Sequence, residues 1–230
     1  MNDLCRQKEF YLTDNVRKFV DYCESELDLT RKETYYYKSL SVCLIDSIYS
    51  LMNRYTECEK IVARYVDKFM NGDKSKEGDN LTDLIANMDN AGGPIEFAKN
   101  VLESTKMAGN TGLFRSEVVY NLAKQLLDMG INSIDDFRNY EDELALSTAM
   151  QSIKGVGAQA SNYLFMLAGS TDRVKKDVHI DQFLNDLFPV QKFSNDECLA
   201  LFEETVAELN KKYPEITVRS LGGMVWAKYR

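Results

Sequence analysis

The feature that most constrains this chain is a pair of glycines around one apolar residue, Gly155-Val156-Gly157, with a helical pattern starting directly behind it. Glycine accepts backbone angles that other residues resist. The apolar positions Ala160, Tyr163, Leu164 and Leu167 then recur at helical spacing up to Gly169, a plausible C-cap. A turn of this kind presents the first N–H groups of the following helix. Those donors and the positive end of the helix dipole can hold a phosphate. After a short loop comes Asp177-Val178-His179-Ile180, ahead of another apolar run. An aspartate there ordinarily caps the helix, and the helix dipole favours its ionised form.

The rest of the chain reads as helix. Only three prolines interrupt 230 residues. Apolar periodicity predicts helices over 9–27, 35–52, 81–88, 95–102, 115–129, 135–140 and 141–152. A helix running to Phe69 is expected to be capped by Thr56, with Glu59 completing a capping box. Beyond Asp177, helices are expected over 180–187, over 195–212 with Ser194 as cap, and over 217–226. Residues 31–34 read as a polar connection, and residues 71–80 as a charged, flexible loop. No strand, repeat or low-complexity tract is evident. The expected class is all-α.

No apolar run approaches the roughly 20 residues of a membrane span. The opening residues 1–10 lack the apolar core of a signal peptide, so a cytosolic protein is expected. Cys5, Cys23, Cys43, Cys58 and Cys198 fit no zinc or iron–sulfur spacing and read as reduced, structural thiols.

The stretch 151–183 resembles the helix-hairpin-helix, Gly/Pro-loop and Asp motif of the endonuclease III-like (HhH-GPD) DNA glycosylases. The family pattern is Leu-Pro-Gly-Val-Gly-x-Lys-Thr-Ala, followed downstream by Val-Asp-x-His. Here Ile153 and Lys154 stand for Leu-Pro, Gly155-Val156-Gly157 match outright, and Asp177 and His179 supply Asp-x-His at the family interval from Gln159. The resemblance extends faintly across residues 40–185. It implies a two-lobed helical fold, with a helical barrel over 35–169 carrying the hairpin at 153–157. A second lobe would come from 1–34 and 170–230, with the active-site cleft between the two.

The resemblance also implies chemistry. Asp177 would be the catalytic carboxylate, stabilising an oxocarbenium-like transition state and activating water. Ile153, Lys154, Gly155, Val156, Gly157 and Gln159 would contact DNA. Asn53, flanked by Met52 and Arg54, would fill the gap left by a flipped base, within about one residue. Gln159 stands where bifunctional members carry a nucleophilic lysine, and an amide cannot form a Schiff base. The expected activity is therefore monofunctional excision of a damaged or modified base from double-stranded DNA by a monomer.

Tyr49, Ser50, His179 and Trp226 are base-pocket candidates, as are Tyr35, Tyr36, Tyr37 and Tyr55 by position alone; core packing is the plainer role for the aromatic ones. For His179, the plainer reading is a hydrogen bond to the backbone, supporting the loop. No redox cofactor or transition metal is implied, though an alkali-metal ion on hairpin carbonyls occurs in relatives. The compartment would be the cytoplasm of a bacterium or archaeon, or a eukaryotic nucleus.

Two alternatives stay open: a glycosylase/lyase using a displaced lysine (Lys99, Lys106, Lys175 or Lys176), and a non-catalytic DNA-binding module. The net charge of −8 argues mildly against nucleic acid. Lys154, Arg173, Lys175 and Lys176 nevertheless cluster in sequence near the motif, which predicts a weak, salt-sensitive binder with one basic face.

Overall fold

The computed structural model describes residues 3–30, 36–74 and 79–230, with residues 3–12 described as backbone only. Tyr35, the 31–34 connection, residues 75–78 and the Cys5 side chain thus lie outside the described residues. Among the described residues there are twelve α-helices and no strand. The β-type pairing present is an isolated antiparallel bridge between Met107 and Phe114. The all-α expectation holds.

The chain divides into two compact units, one formed by Tyr35–Gly169 and the other by Met1–Thr34 with Ser170–Arg230. Helix α1 (Asp3–Glu26) belongs to the discontinuous unit. The continuous unit follows with α2 (Leu40–Tyr49), α3 (Tyr55–Phe69), α4 (Leu81–Asn90), α5 (Pro94–Asn100), α6 (Arg115–Asp128), α7 (Ile134–Arg138), α8 (Glu143–Ser152) and α9 (Ala158–Ala168). The discontinuous unit is completed by α10 (Val178–Leu187), α11 (Asn195–Leu209) and α12 (Val218–Tyr229).

The continuous unit is built around α2. All of its residues are buried, and α3, α6 and α9 pack against it. The helix is covered on every side, as a segment with a single charged residue, Asp46, allows. Its Ser41, Asp46 and Ser47 side chains find partners inside the unit. The Ser47 hydroxyl donates to the Leu44 carbonyl at 3.0 Å. Asp46 accepts from the Tyr37 hydroxyl at 2.8 Å and from the Cys58 thiol. The helix is shorter than the predicted 35–52, because Ser39 caps it by accepting from the Val42 N–H and a turn begins at Ser50.

Helix α3 corrects a second expectation. It starts at Tyr55, which puts Thr56 inside the first turn. The cap position falls to Arg54, whose carbonyl accepts from the Glu57 and Cys58 N–H groups. Helix α11 stops at Leu209, short of the predicted 212. Helix α12, capped by Thr217, runs past Trp226 to Tyr229.

In the discontinuous unit, α1 packs on α11 and α10 on α12. Phe19, Phe183 and Phe202 are fully buried at its centre. Ring centroids lie 4.7 Å apart for Phe19–Phe183 and 4.9 Å for Phe19–Phe202. Burying one such ring contributes about 1.5–3 kcal/mol. Phe183 thereby anchors α10, the helix that Asp177 begins. Gly222 on α12 lets the segment before Asp177 pack close, since a Cβ there would lie 3.0 Å from Val174 Cγ2.

Candidate active site

The glycine turn forms as its residues require. Ile153 ends α8, and its carbonyl accepts from the Val156 N–H at 2.9 Å. Gly155 stands at the third position of this turn with φ +101°, where residues with a side chain are strained. Its missing side chain is needed as well. A Cβ would lie 2.8 Å from Val118 Cγ2 and 3.4 Å from Ala108 Cβ. Val156 is buried and pins the turn to the core, while Lys154, Gly157 and Gln159 are exposed. Gly157 is the N-cap of α9 and offers no capping side chain. The hairpin therefore presents a helix N-terminus and one cation at the surface of its unit, a geometry suited to phosphate.

Asp177 is the N-cap of α10. Its Oδ1 accepts from the backbone N–H of His179 at 3.0 Å and of Ile180 at 3.3 Å. Its Oδ2 accepts from the indole Nε1–H of Trp226 at 3.0 Å. Both oxygens are thus fixed by donors, and the group acts as an acceptor only. The capping role expected of Asp177 is present, and it leaves lone pairs on the carboxylate.

The His179 Nδ1 lies 2.9 Å from the Tyr229 carbonyl. A carbonyl only accepts, so Nδ1 carries the proton. This is the backbone-supporting role read from the sequence. The imidazole also stands edge-to-face against Trp226, with centroids 5.5 Å apart at 83°. The Arg230 guanidinium lies 5.1 Å from the same indole ring. The structure thus brings three of the sequence candidates, Asp177, His179 and Trp226, into one cluster of the discontinuous unit.

In the continuous unit, the turn after α2 is held from α6. Arg115 is buried and donates to the carbonyls of Tyr49 and Leu51 through its two terminal nitrogens, and to the Met107 carbonyl from Nε at 3.2 Å. Burial pulls its pKa below the usual arginine value. Met52 adopts φ +47° and is 98% exposed. Asn53 is tied down instead: its Nδ2 donates to the Tyr49 carbonyl at 3.1 Å and its Oδ1 accepts from Lys106. The side chain that projects from this turn is Met52, the immediate neighbour of the sequence candidate. Nothing in the sequence around residue 52 marks Arg115 as the residue that holds the turn; the only signal is an arginine at the first position of an apolar helix.

Tyr49 is a correction. It is fully buried in the core, because α2 is covered on every side, so its ring is closed to an incoming base. Ser50 is half-buried and lies within hydrogen-bonding distance of the Ser47 carbonyl at 3.4 Å. Tyr37 is buried on Asp46, and Tyr36 is partly exposed beside Arg138. Of the expected basic cluster, Lys176 pairs with Asp181 and Arg173 lies 3.9 Å from Asp172. Cys23, Cys43, Cys58 and Cys198 are free and buried. Among the described residues, no group of three or more His, Cys, Asp or Glu is placed to hold a metal ion, and no helix is long and apolar enough to cross a membrane.

Residues 17–230 match the family model described as Domain of unknown function (DUF8548). The chain belongs to the DUF8548 family. No curated protein matches this DUF8548 member in sequence. Among solved structures, it is similar to MBOgg1 in complex with a low-affinity DNA ligand, with a TM-score of 0.54 and 16% identity over 99% of this chain and 70% of that one. It is also similar to the apo form of the 8-oxoguanine glycosylase/lyase of Clostridium acetobutylicum, with a TM-score of 0.51 and 13% identity over 100% of this chain and 71% of that one. The fold of this DUF8548 chain is that of helical DNA glycosylases.

Proposed function

We propose that this DUF8548 member is a monofunctional DNA glycosylase, with Asp177 as its catalytic carboxylate. The observation that carries the reading is the state of Asp177. The carboxylate follows the hairpin motif at the family interval, begins a helix, and is oriented through both oxygens by N–H donors. Such a group can face the C1′ of a flipped nucleotide. As the N-glycosidic bond breaks, its electron pair leaves with the base, and the sugar gains oxocarbenium character that a fixed negative charge stabilises. A water held by the carboxylate then forms the new C1′–O bond and gives its proton to Asp177, while the base that left with the electron pair takes up a proton, so that one water is consumed in all.

The remaining residues fit the same reading. The exposed hairpin at Lys154, Gly157 and Gln159 suits a DNA phosphate. Met52, rather than Asn53, is the side chain we assign to the vacated stack, because it projects from a turn fixed by Arg115. Gln159 supplies no amine, so water is the nucleophile. The Ile153 carbonyl already accepts the Val156 N–H, and an alkali-metal ion at the hairpin would share that oxygen.

The test is a panel of duplexes, each with one damaged, modified or mismatched base, scored for strand breaks with and without alkali. Breaks only after alkali, lost in Asp177→Asn, are expected. Breaks without alkali would point to a lyase and a displaced lysine. No breaks with hairpin-dependent binding intact would leave a binding module.

A further inference from the structure

We infer that Trp226 is a positioning residue for the catalytic carboxylate, and not a ring that stacks on the excised base. The inference rests on the glycosylase reading and deepens it. Two of the three donors to Asp177 are backbone groups of its own helix, and both address Oδ1. They cap the helix but leave the carboxylate free to rotate about the Oδ1 contacts. The indole N–H of Trp226, 3.0 Å from Oδ2, removes that freedom.

The indole is itself held. Its imidazole neighbour, His179, stands edge-to-face at 5.5 Å and donates from Nδ1 to the Tyr229 carbonyl at 2.9 Å. The two helices are therefore bonded reciprocally. A side chain from the first turn of α10 reaches the backbone of α12, and a side chain from the last turns of α12 reaches the cap of α10. The choice of donor matters for the chemistry. A lysine or arginine here would orient Asp177 but offset the negative charge that the oxocarbenium ion needs. A neutral N–H orients the carboxylate and leaves its charge intact.

The test uses the fact that Trp226 is the only tryptophan. In indole-¹⁵N-labelled protein, one N–H resonance reports this hydrogen bond without any catalytic assay. Asp177→Asn keeps one oxygen for the cap and puts an NH2, itself a donor, where Oδ2 accepted; the indole N–H loses its acceptor and its resonance is expected to move upfield, and an unchanged resonance overturns the inference. In a second arm, Trp226→Phe keeps the ring and removes the donor. Single-turnover excision is expected to fall roughly tenfold to hundredfold. Affinity for a duplex carrying a tetrahydrofuran abasic analogue, and for the substrate duplex, should stay within about threefold. Weakened substrate binding with an unchanged rate would make Trp226 a stacking residue and overturn the inference. A wild type that cuts no duplex would overturn the glycosylase reading, while the resonance shift still decides the hydrogen bond.

Discussion

Val118 of α6 occupies the space that a side chain on Gly155 would need, with its Cγ2 2.8 Å from where the Cβ would stand. The positive φ of the turn and this contact are separate reasons for glycine. Gly155→Ala should therefore lose about 2–4 kcal/mol in urea denaturation, combining backbone strain with overpacking. Adding Val118→Ala should relieve the contact and leave the strain. Full recovery in the double variant would show that the backbone angle costs nothing.

Asp177 caps a helix and, in our reading, drives excision. Two substitutions separate those roles. Asn is as good an N-cap as Asp, so Asp177→Asn should lose excision and, in stability, only the Trp226 hydrogen bond, about 1 kcal/mol. Asp177→Ala should lose excision and, with the cap gone as well, about 1 kcal/mol more stability than the Asn variant. Calorimetry beside a single-turnover assay checks both. Equal melting temperatures for the two variants would deny the cap its energetic role.

Met52 should give opposite signs in the two assays. Met52→Gly removes a side chain at φ +47° that buries nothing, so stability should hold or rise by about 1 kcal/mol. Excision from duplex DNA should fall, because nothing fills the vacated stack. Normal excision by this variant would return the role to Asn53 or Arg54.

Alkaline pH should weaken the fold through its buried thiols. Burial raises Cys198 from an ordinary 9.0 to about 12, and burial pushes Cys23 up as well. A raised folded-state pKa means that the unfolded chain loses its proton first. This stability is whole below pH 9.0 and is lost as pH rises toward about 12. Each thiol should remove about 1.4 kcal/mol per pH unit within that window. Urea midpoints from pH 8 to 11 test this, and Cys198→Ser should flatten the slope.

Most of the helical scaffold was legible because it rests on local signals. Helix α6 follows its apolar spacing, Ser194 is the cap of α11 as its type and place suggest, and Gly155-Val156-Gly157 reads as a turn from two glycines alone. What escaped the sequence is non-local. Core packing is the plainer role that the sequence gives Tyr49, but the cover on every side of α2 comes from α3, α6 and α9 together, and no residue near Tyr49 encodes that. Thr56 reads as a cap because its type and its spacing to Glu59 fit, but the first turn closes two residues earlier on the Arg54 carbonyl. The hydrogen bond from Trp226 to Asp177 joins residues far apart in the chain, and an indole at helical spacing is indistinguishable from a core residue until α10 and α12 are packed.

Arg115 and Val118 sit one turn apart on α6, the first holding the turn that carries Met52 and the second fitting under Gly155. The two surface features that we assign to DNA thus take their shape from one helix end, distant from both in sequence. They cannot form early during folding, when only local contacts exist, and must await the docking of α6. The same dependence runs backwards. A fluctuation that frees the start of α6 would disable both features while most of the helices stay formed, so under gentle denaturation the ability to grip DNA should vanish before the circular dichroism of the chain changes.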